Sequence, residues 1–90
     1  GALAMAMLKV VCDEKLYDQD FCDKWVYGLE AVCERVAEMD LDDLCERAWV
    51  AKEDVQRVAR TYAASKPAAI QWGVALDQQT GEYLLSVQEF

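Results

Sequence analysis

The chain has 90 residues, of which 54% are hydrophobic, and it carries a formal net charge of −8 with no histidine. This size makes one small domain or a piece of a larger one, and it buries roughly 60–65% of the surface that the unfolded chain exposes. The acidic balance argues against nucleic acids and anionic membrane surfaces as partners, because both need basic patches. No run of about 18 uncharged apolar residues occurs, so the sequence predicts no membrane insertion.

Most of the chain is predicted to be helical. The third predicted helix is typical, since Leu29, Val32, Cys33 and Val36 fall on one face at helical spacing. Aspartates stand where the second and fourth helices are expected to begin, and Asp is a favoured N-cap. The predicted helices cover residues 2–15, 18–25, 29–39, 41–48 and 52–65.

The first predicted helix differs from the others, because residues 2–8 are apolar on every side. Such a helix is normally buried inside a large protein rather than lying on the surface of a small one. No Ser, Thr, Asp or Asn precedes it as an N-cap. We therefore expect a helix whose true start is missing from this chain.

Pro67, the only proline, marks the end of the helical part. Proline cannot continue a helix, and it moves Lys66 out of the α region. The apolar run that follows has little alternation, which predicts a strand over 68–72 that is buried on both faces. A polar loop over 73–81 follows, in the position where α/β enzymes usually bind ligands. Residues 82–90 fit a helix or a strand equally well.

The four cysteines offer no metal motif. There is no C-x-x-C pair, and no histidine can complete a zinc site. Each cysteine falls at an apolar position of a helical pattern, which favours reduced, buried, structural thiols in a cytoplasmic protein. Two disulfides, as in a secreted mini-protein, are the alternative. The four are Cys12, Cys22, Cys33 and Cys45.

No catalytic and no metal-binding residue is predicted. Triads of the Ser/His/Asp type and Cys/His pairs both require histidine. The acids at 40, 42, 43 and 46 lack the glycine and spacing of a calcium loop, and they suit the dipole at a helix start. Trp25, Trp49 and Trp72 are expected to be large core anchors rather than stacking platforms.

Three segments in order carry a resemblance that covers nearly the whole chain. They read LYDQDFCDKW over 16–25, VARTYAASKPAAIQWG over 58–73 and DQQTGE over 77–82. This order is similar to the middle of the catalytic subunit of molybdopterin-dependent oxidoreductases of the dimethyl sulfoxide reductase family. Formate dehydrogenases, nitrate reductases and sulfur, arsenic and selenium oxyanion reductases belong to that family.

The resemblance implies a mainly α piece, with four to five helices, one short strand and a loop, from an α/β parent enzyme of several hundred residues. The parent would bind bis(molybdopterin guanine dinucleotide) with molybdenum or tungsten and transfer electron pairs or oxygen atoms. These 90 residues alone are expected to be inactive and to bind no cofactor. The family's iron–sulfur cysteines and its molybdenum ligand are absent from this sequence.

In the parent, the resemblance assigns cofactor contacts to the strand end and its loop. Glycine lets backbone approach a ligand closely, and amide or carboxylate groups match the hydrogen-bonding edges of pterin and guanine. An ordinary solvated loop is the alternative. The expected contact residues are Trp72, Gly73, Asp77, Gln78 and Gln79.

A free-standing acidic helical interaction module without catalysis is the alternative to the enzyme fragment. For the fragment, the expected partner is the remainder of the parent catalytic subunit. The isolated chain is expected to self-associate through its apolar first helix or a bare strand edge. The resemblance implies a prokaryotic protein, and the unpaired cysteines favour the cytoplasm over the periplasm. The substrate and the choice of metal are set by parts of the enzyme outside this chain.

Overall fold

The computed structural model describes residues 1–71, 73 and 74, and the mainly α prediction is confirmed over this part. Every helix end lies within two residues of its predicted position. In chain order, the helices are α1 Ala2–Asp13, α2 Gln19–Trp25, α3 Leu29–Ala37, α4 Leu41–Ala48 and α5 Lys52–Ala64.

Two helix starts are capped by the aspartates predicted to do so. A carboxylate oxygen of Asp18 accepts a hydrogen bond of 3.0 Å from the backbone N–H of Phe21. Asp40 accepts one of 3.0 Å from the N–H of Asp42. Each bond satisfies a donor that has no partner within its helix. At α3 the cap is Gly28, whose φ of 85° lies in the left-handed region that glycine adopts without strain.

Two helices end in the same kind of turn, in which a non-glycine residue adopts the left-handed conformation. After α1, Lys15 has a φ of 53°, and the N–H of the next residue, Leu16, bonds to the carbonyl of Val11 at 2.9 Å. After α4, Trp49 has a φ of 59°, and Val50 bonds back in the same way at 3.1 Å. These are Schellman turns, which satisfy carbonyls at the helix end. In both, the residue after the turn packs against the core.

The core is built around α1, which packs against α3, α4 and α5. Ala6 and Val10 of α1 are buried together with residues of α4 and α5. The expectation of a buried first helix therefore holds for one face, whereas Leu3 remains 44% exposed. Together the core cluster consists of Ala6, Val10, Cys45, Val55 and Ala59.

Polar contacts also connect α1 to its neighbours. Lys9 donates a hydrogen bond of 3.2 Å to the carbonyl of Val36 near the end of α3, and it pairs with Asp13 at 3.0 Å. The guanidinium of Arg60 on α5 donates two hydrogen bonds, of 2.8 and 3.1 Å, to the carboxylate of Glu14. A two-pronged contact of this kind fixes the relative orientation of both side chains. The C-terminal half of α1 is thereby connected to both α3 and α5.

The strand predicted over 68–72 is not formed over 68–71. A strand needs hydrogen bonds from a neighbouring strand, and residues 1–71, 73 and 74 contain no strand that offers them. Residue 72 and residues 75–90, with most of the predicted loop, lie outside the described residues. In the described part, no helix has the length and apolar character needed to cross a membrane.

Two valines on α5 provide a test of this core. Val55 is 2% exposed and belongs to the core cluster, whereas Val58 is 44% exposed. Val55→Ala is expected to lower the free energy of unfolding by about 2 kcal/mol, because it removes buried methyl groups and leaves a cavity. Val58→Ala is the matched control and should cost well under half as much. Urea denaturation of the chain measures both, and equal losses would contradict this packing.

Candidate functional site

Only one of the five residues assigned to cofactor contact falls within the described part of the chain. Gly73 is exposed, and a Cβ added to it would meet no atom within 4 Å. Its backbone is therefore open to the approach of another molecule or chain segment. Trp72, Asp77, Gln78 and Gln79 lie outside the described residues, so their assignment stays a prediction.

The acidic side chains at the start of α4 already have hydrogen-bond or ion-pair partners nearby. Asp40 caps the helix, Asp43 pairs with Arg47 at 2.9 Å, and Asp42 pairs with Lys52 at 3.4 Å. Across residues 1–71, 73 and 74, no group of three or more Cys, Asp or Glu side chains is arranged to hold a metal ion. The described geometry thus favours a capped helix start over a cation site.

What the structure does bring together is a set of thiols beside an open groove. The groove has a volume of about 600 Å³ and lies between α2 and the start of α3. Tyr17, Cys22 and Cys33 line it, with Asp23 and Glu30 adding negative charge. Its wall therefore combines two thiols and two acidic groups with apolar side chains such as Val26 and Leu29.

Two of the thiols are in contact across a helix interface. The Sγ atom of Cys33 on α3 lies 2.7 Å from that of Cys12 on α1. Burial, and then the neighbouring Cys33 thiol, raise the pKa of Cys12 to about 12. Burial also raises the pKa of Cys22, to which the nearby Asp18 carboxylate adds. Both Cys12 and Cys22 are therefore protonated at neutral pH.

The prediction of four buried thiols needs correction. All four are free cysteines, but only Cys12 and Cys45 are buried, while Cys22 and Cys33 are partly exposed. The reason is that α2 contributes no buried residue, so its apolar positions and the adjoining side of α3 stay open. The cysteines of the groove and of the thiol pair are separated by 10 and 11 residues in the sequence, which matches no metal or redox motif. Their proximity could have been inferred only in part, from the apolar stripe on α3, which places Cys33 on the face that packs against another helix.

The tryptophan prediction is wrong in this chain for the two tryptophans that the structure describes. Trp25 is 75% exposed and Trp49 is 94% exposed. Trp25 lies on α2, which buries nothing, and the left-handed turn at Trp49 directs Val50, not the indole, towards the core. Phe21 and Tyr27 are exposed as well. We refer to Phe21, Trp25, Val26 and Tyr27 as the aromatic patch.

The thiol environment predicts how stability depends on alkaline pH. The pKa of Cys12 rises from 9.0 to about 12 in the folded protein, so below pH 9 its contribution to stability is complete. Between these values the unfolded chain releases the thiol proton and the folded chain keeps it, so stability falls as pH rises. Burial raises the pKa of Cys22 and Cys45 as well, and both act in the same direction.

Urea denaturation of the reduced protein between pH 8 and pH 11 measures this loss. Cys12→Ala should make the decline with pH shallower. Val36→Ala, a buried control without a titratable group, should lower stability by a similar amount at every pH. An unchanged slope in Cys12→Ala would contradict the assignment.

Comparison with known proteins gives a consistent result. No family model matches the chain. It is 36% identical over 79 residues to acetylene hydratase of Syntrophotalea acetylenica, an alignment that covers 88% of this chain and 11% of that protein. It is 35% identical over 69 residues to the molybdopterin-containing subunit of thiosulfate reductase of Salmonella typhimurium, which covers 77% of this chain and 9% of that subunit.

The fold comparison agrees with the sequence comparison. The solved structure of acetylene hydratase from Pelobacter acetylenicus superimposes with a TM-score of 0.83 at 34% identity, over 90% of this chain and 11% of that one. The chain thus spans 9–11% of the length of these relatives. By sequence and by fold, it belongs to the dimethyl sulfoxide reductase family of molybdopterin-dependent oxidoreductases, and it corresponds to one segment of the catalytic subunit.

Proposed function

We propose that this chain acts as a scaffold segment of a molybdenum- or tungsten-dependent oxidoreductase, and that the complete subunit carries out the reaction. The observation that carries the proposal is the superposition on acetylene hydratase, with a TM-score of 0.83 over 90% of this chain but only 11% of that structure. An acidic interaction module that folds and acts alone would not be expected to match a small part of much longer enzymes. Two-electron or oxygen-atom transfer is the proposed reaction of the whole subunit.

The surface of the chain supports a partner within the same subunit. The aromatic patch and Trp49 leave large apolar side chains in water, which is unusual for a small protein that works alone. We assign this surface to contact with the remainder of the catalytic subunit. The four free cysteines support a cytoplasmic location for the whole protein.

The proposed cofactor is bis(molybdopterin guanine dinucleotide) with molybdenum or tungsten. When bound, it supplies the redox-active metal centre, for which this chain offers no ligand cluster in its described part. The proposed contribution of this chain is hydrogen bonding and close backbone approach from Trp72, Gly73, Asp77, Gln78 and Gln79. The open space at Gly73 supports that approach.

Hydration is a second candidate reaction, and one observation favours it. The relative that is 36% identical to this chain is named a hydratase, which adds water instead of transferring electrons to an acceptor. The same scaffold segment would serve either reaction. The reaction is decided by parts of the subunit that lie outside this chain.

The cofactor proposal is tested on the complete subunit, purified without oxygen from a host that makes the pterin. Metal analysis and release of guanine nucleotides by acid should give one molybdenum or tungsten and two nucleotides per subunit. Absence of both would overturn the proposed function. Gly73→Val should reduce cofactor content, whereas Ala69→Val, which also adds bulk to an exposed residue, should not. An equal effect of both variants would refute only the contact at Gly73.

The two reactions are separated with the loaded enzyme. Oxidation of a reduced viologen dye in the presence of thiosulfate or a related acceptor would support oxidoreduction. Conversion of acetylene to a carbonyl product without consumption of dye would support hydration and overturn the proposed transfer chemistry.

The partner proposal predicts that the isolated chain self-associates. Multi-angle light scattering should show a mass above that of the monomer at high concentration, because the aromatic patch lacks its covering surface. Phe21→Ser combined with Trp25→Ser should return the chain to a monomer. Glu34→Ser with Glu38→Ser, at two exposed acids that do not line the groove, is the matched control and should not. A wild-type monomer at every concentration would contradict the assignment.

A further inference from the structure

The contact between α1 and α3 includes a pair of sulfur atoms. The Sγ atoms of Cys12 and Cys33 are 2.7 Å apart, and the residues are 21 positions apart in the chain. Sulfur atoms in a disulfide are separated by about 2.05 Å. Since α1 and α3 already pack against each other, a bond between the two atoms needs only a small further approach.

Cys33 is the more accessible thiol of the pair. Cys33 is partly exposed and lines the groove, whereas Cys12 is only 8% exposed beneath it. A small oxidant that enters the groove therefore meets Cys33 before Cys12. Cys22 lines the same groove and is the competing thiol.

We propose that Cys12 and Cys33 form an oxidation site, a dithiol that hydrogen peroxide converts into a disulfide joining α1 to α3. In the first step the sulfur of Cys33 attacks peroxide, an S–O bond forms, the O–O bond breaks, and one water leaves. In the second step the sulfur of Cys12 displaces the hydroxyl group, an S–S bond forms, and the hydroxyl leaves with the Cys12 proton as a second water. Two thiols lose two electrons, and peroxide is reduced to two waters.

The order of the steps follows from the surroundings of each thiol. The raised pKa of Cys12 keeps this buried thiol protonated, which makes it a poor first target, because peroxide reacts with the thiolate. Its contact with Cys33 makes it the resolving thiol, which captures the sulfenic acid before further oxidation. The disulfide would close a loop that contains α2 and restrict the unfolded chain. Oxidation is therefore expected to raise the melting temperature.

The sequence makes the test direct, since trypsin places each cysteine on its own peptide. Cys12 falls in 10–15, Cys22 in 16–24, Cys33 in 25–35 and Cys45 in 36–47. The reduced 90-residue chain, in which the groove is open, is treated with hydrogen peroxide, quenched with catalase, alkylated in denaturant and digested. A peptide pair joining 10–15 to 25–35 should grow with peroxide and disappear on reduction, while Cys45 remains alkylated.

Cys45 is the internal control, because it is as deeply buried as Cys12 but packs among aliphatic core residues. Cys33→Ser should abolish the joined peptides and leave Cys12 alkylated, and Cys45→Ser should leave their yield unchanged. The proposal is overturned if Cys12 and Cys33 of the wild-type protein both stay alkylated while an added reference dithiol oxidises. It is equally overturned if the main product joins 16–24 to 25–35. Both of these outcomes are measured on the wild-type protein, so neither depends on whether a variant folds.

Discussion

The packing of α1 against three other helices is the constraint on which the rest of this structure depends. The helices have 7 to 13 residues, and isolated helices shorter than about 12–15 residues are marginal in water. Their stability must therefore come from the shared interface. Ala6 is fully buried at its centre, and its small side chain lets the neighbouring helices approach closely. The polar contacts of Lys9 and Glu14 then fix how the neighbours are oriented.

The same constraint determines which surface is left open. A core organised around α1 takes its buried residues from α1, α3, α4 and α5, and α2 contributes none. The aromatic patch consequently faces outward, next to the groove. This division gives the chain one face that holds it together and another that is suited to contact with the rest of a larger subunit. The proposed scaffold role agrees with that division.

The thiol pair lies where the buried interface of α1 and α3 borders the open groove. Cys12 belongs to the interior and has a raised pKa, whereas Cys33, in contact with it, opens onto the groove. A buried thiol with no neighbour of its kind, as Cys45 is among its aliphatic core contacts, has only a packing role. The Cys33 sulfur beside Cys12 makes a disulfide possible between two helices that already pack together. The oxidation proposal thus depends on the helix interface and not on the cofactor.

The sequence by itself determined the five helices, because caps such as Asp18 and apolar stripes such as that on α3 act within a few residues of one another. It also indicated the family, through three segments that together span nearly the whole chain. The exposure of Trp25 and Trp49, the contact of Cys12 with Cys33, and the missing strand over 68–71 were decided only by tertiary structure. Each depends on which surfaces meet across long separations in the chain, and a strand depends on a neighbour that the described residues do not supply. Local spacing indicates which face of a helix is apolar, but it does not indicate which residues of two helices come into contact when the helices pack.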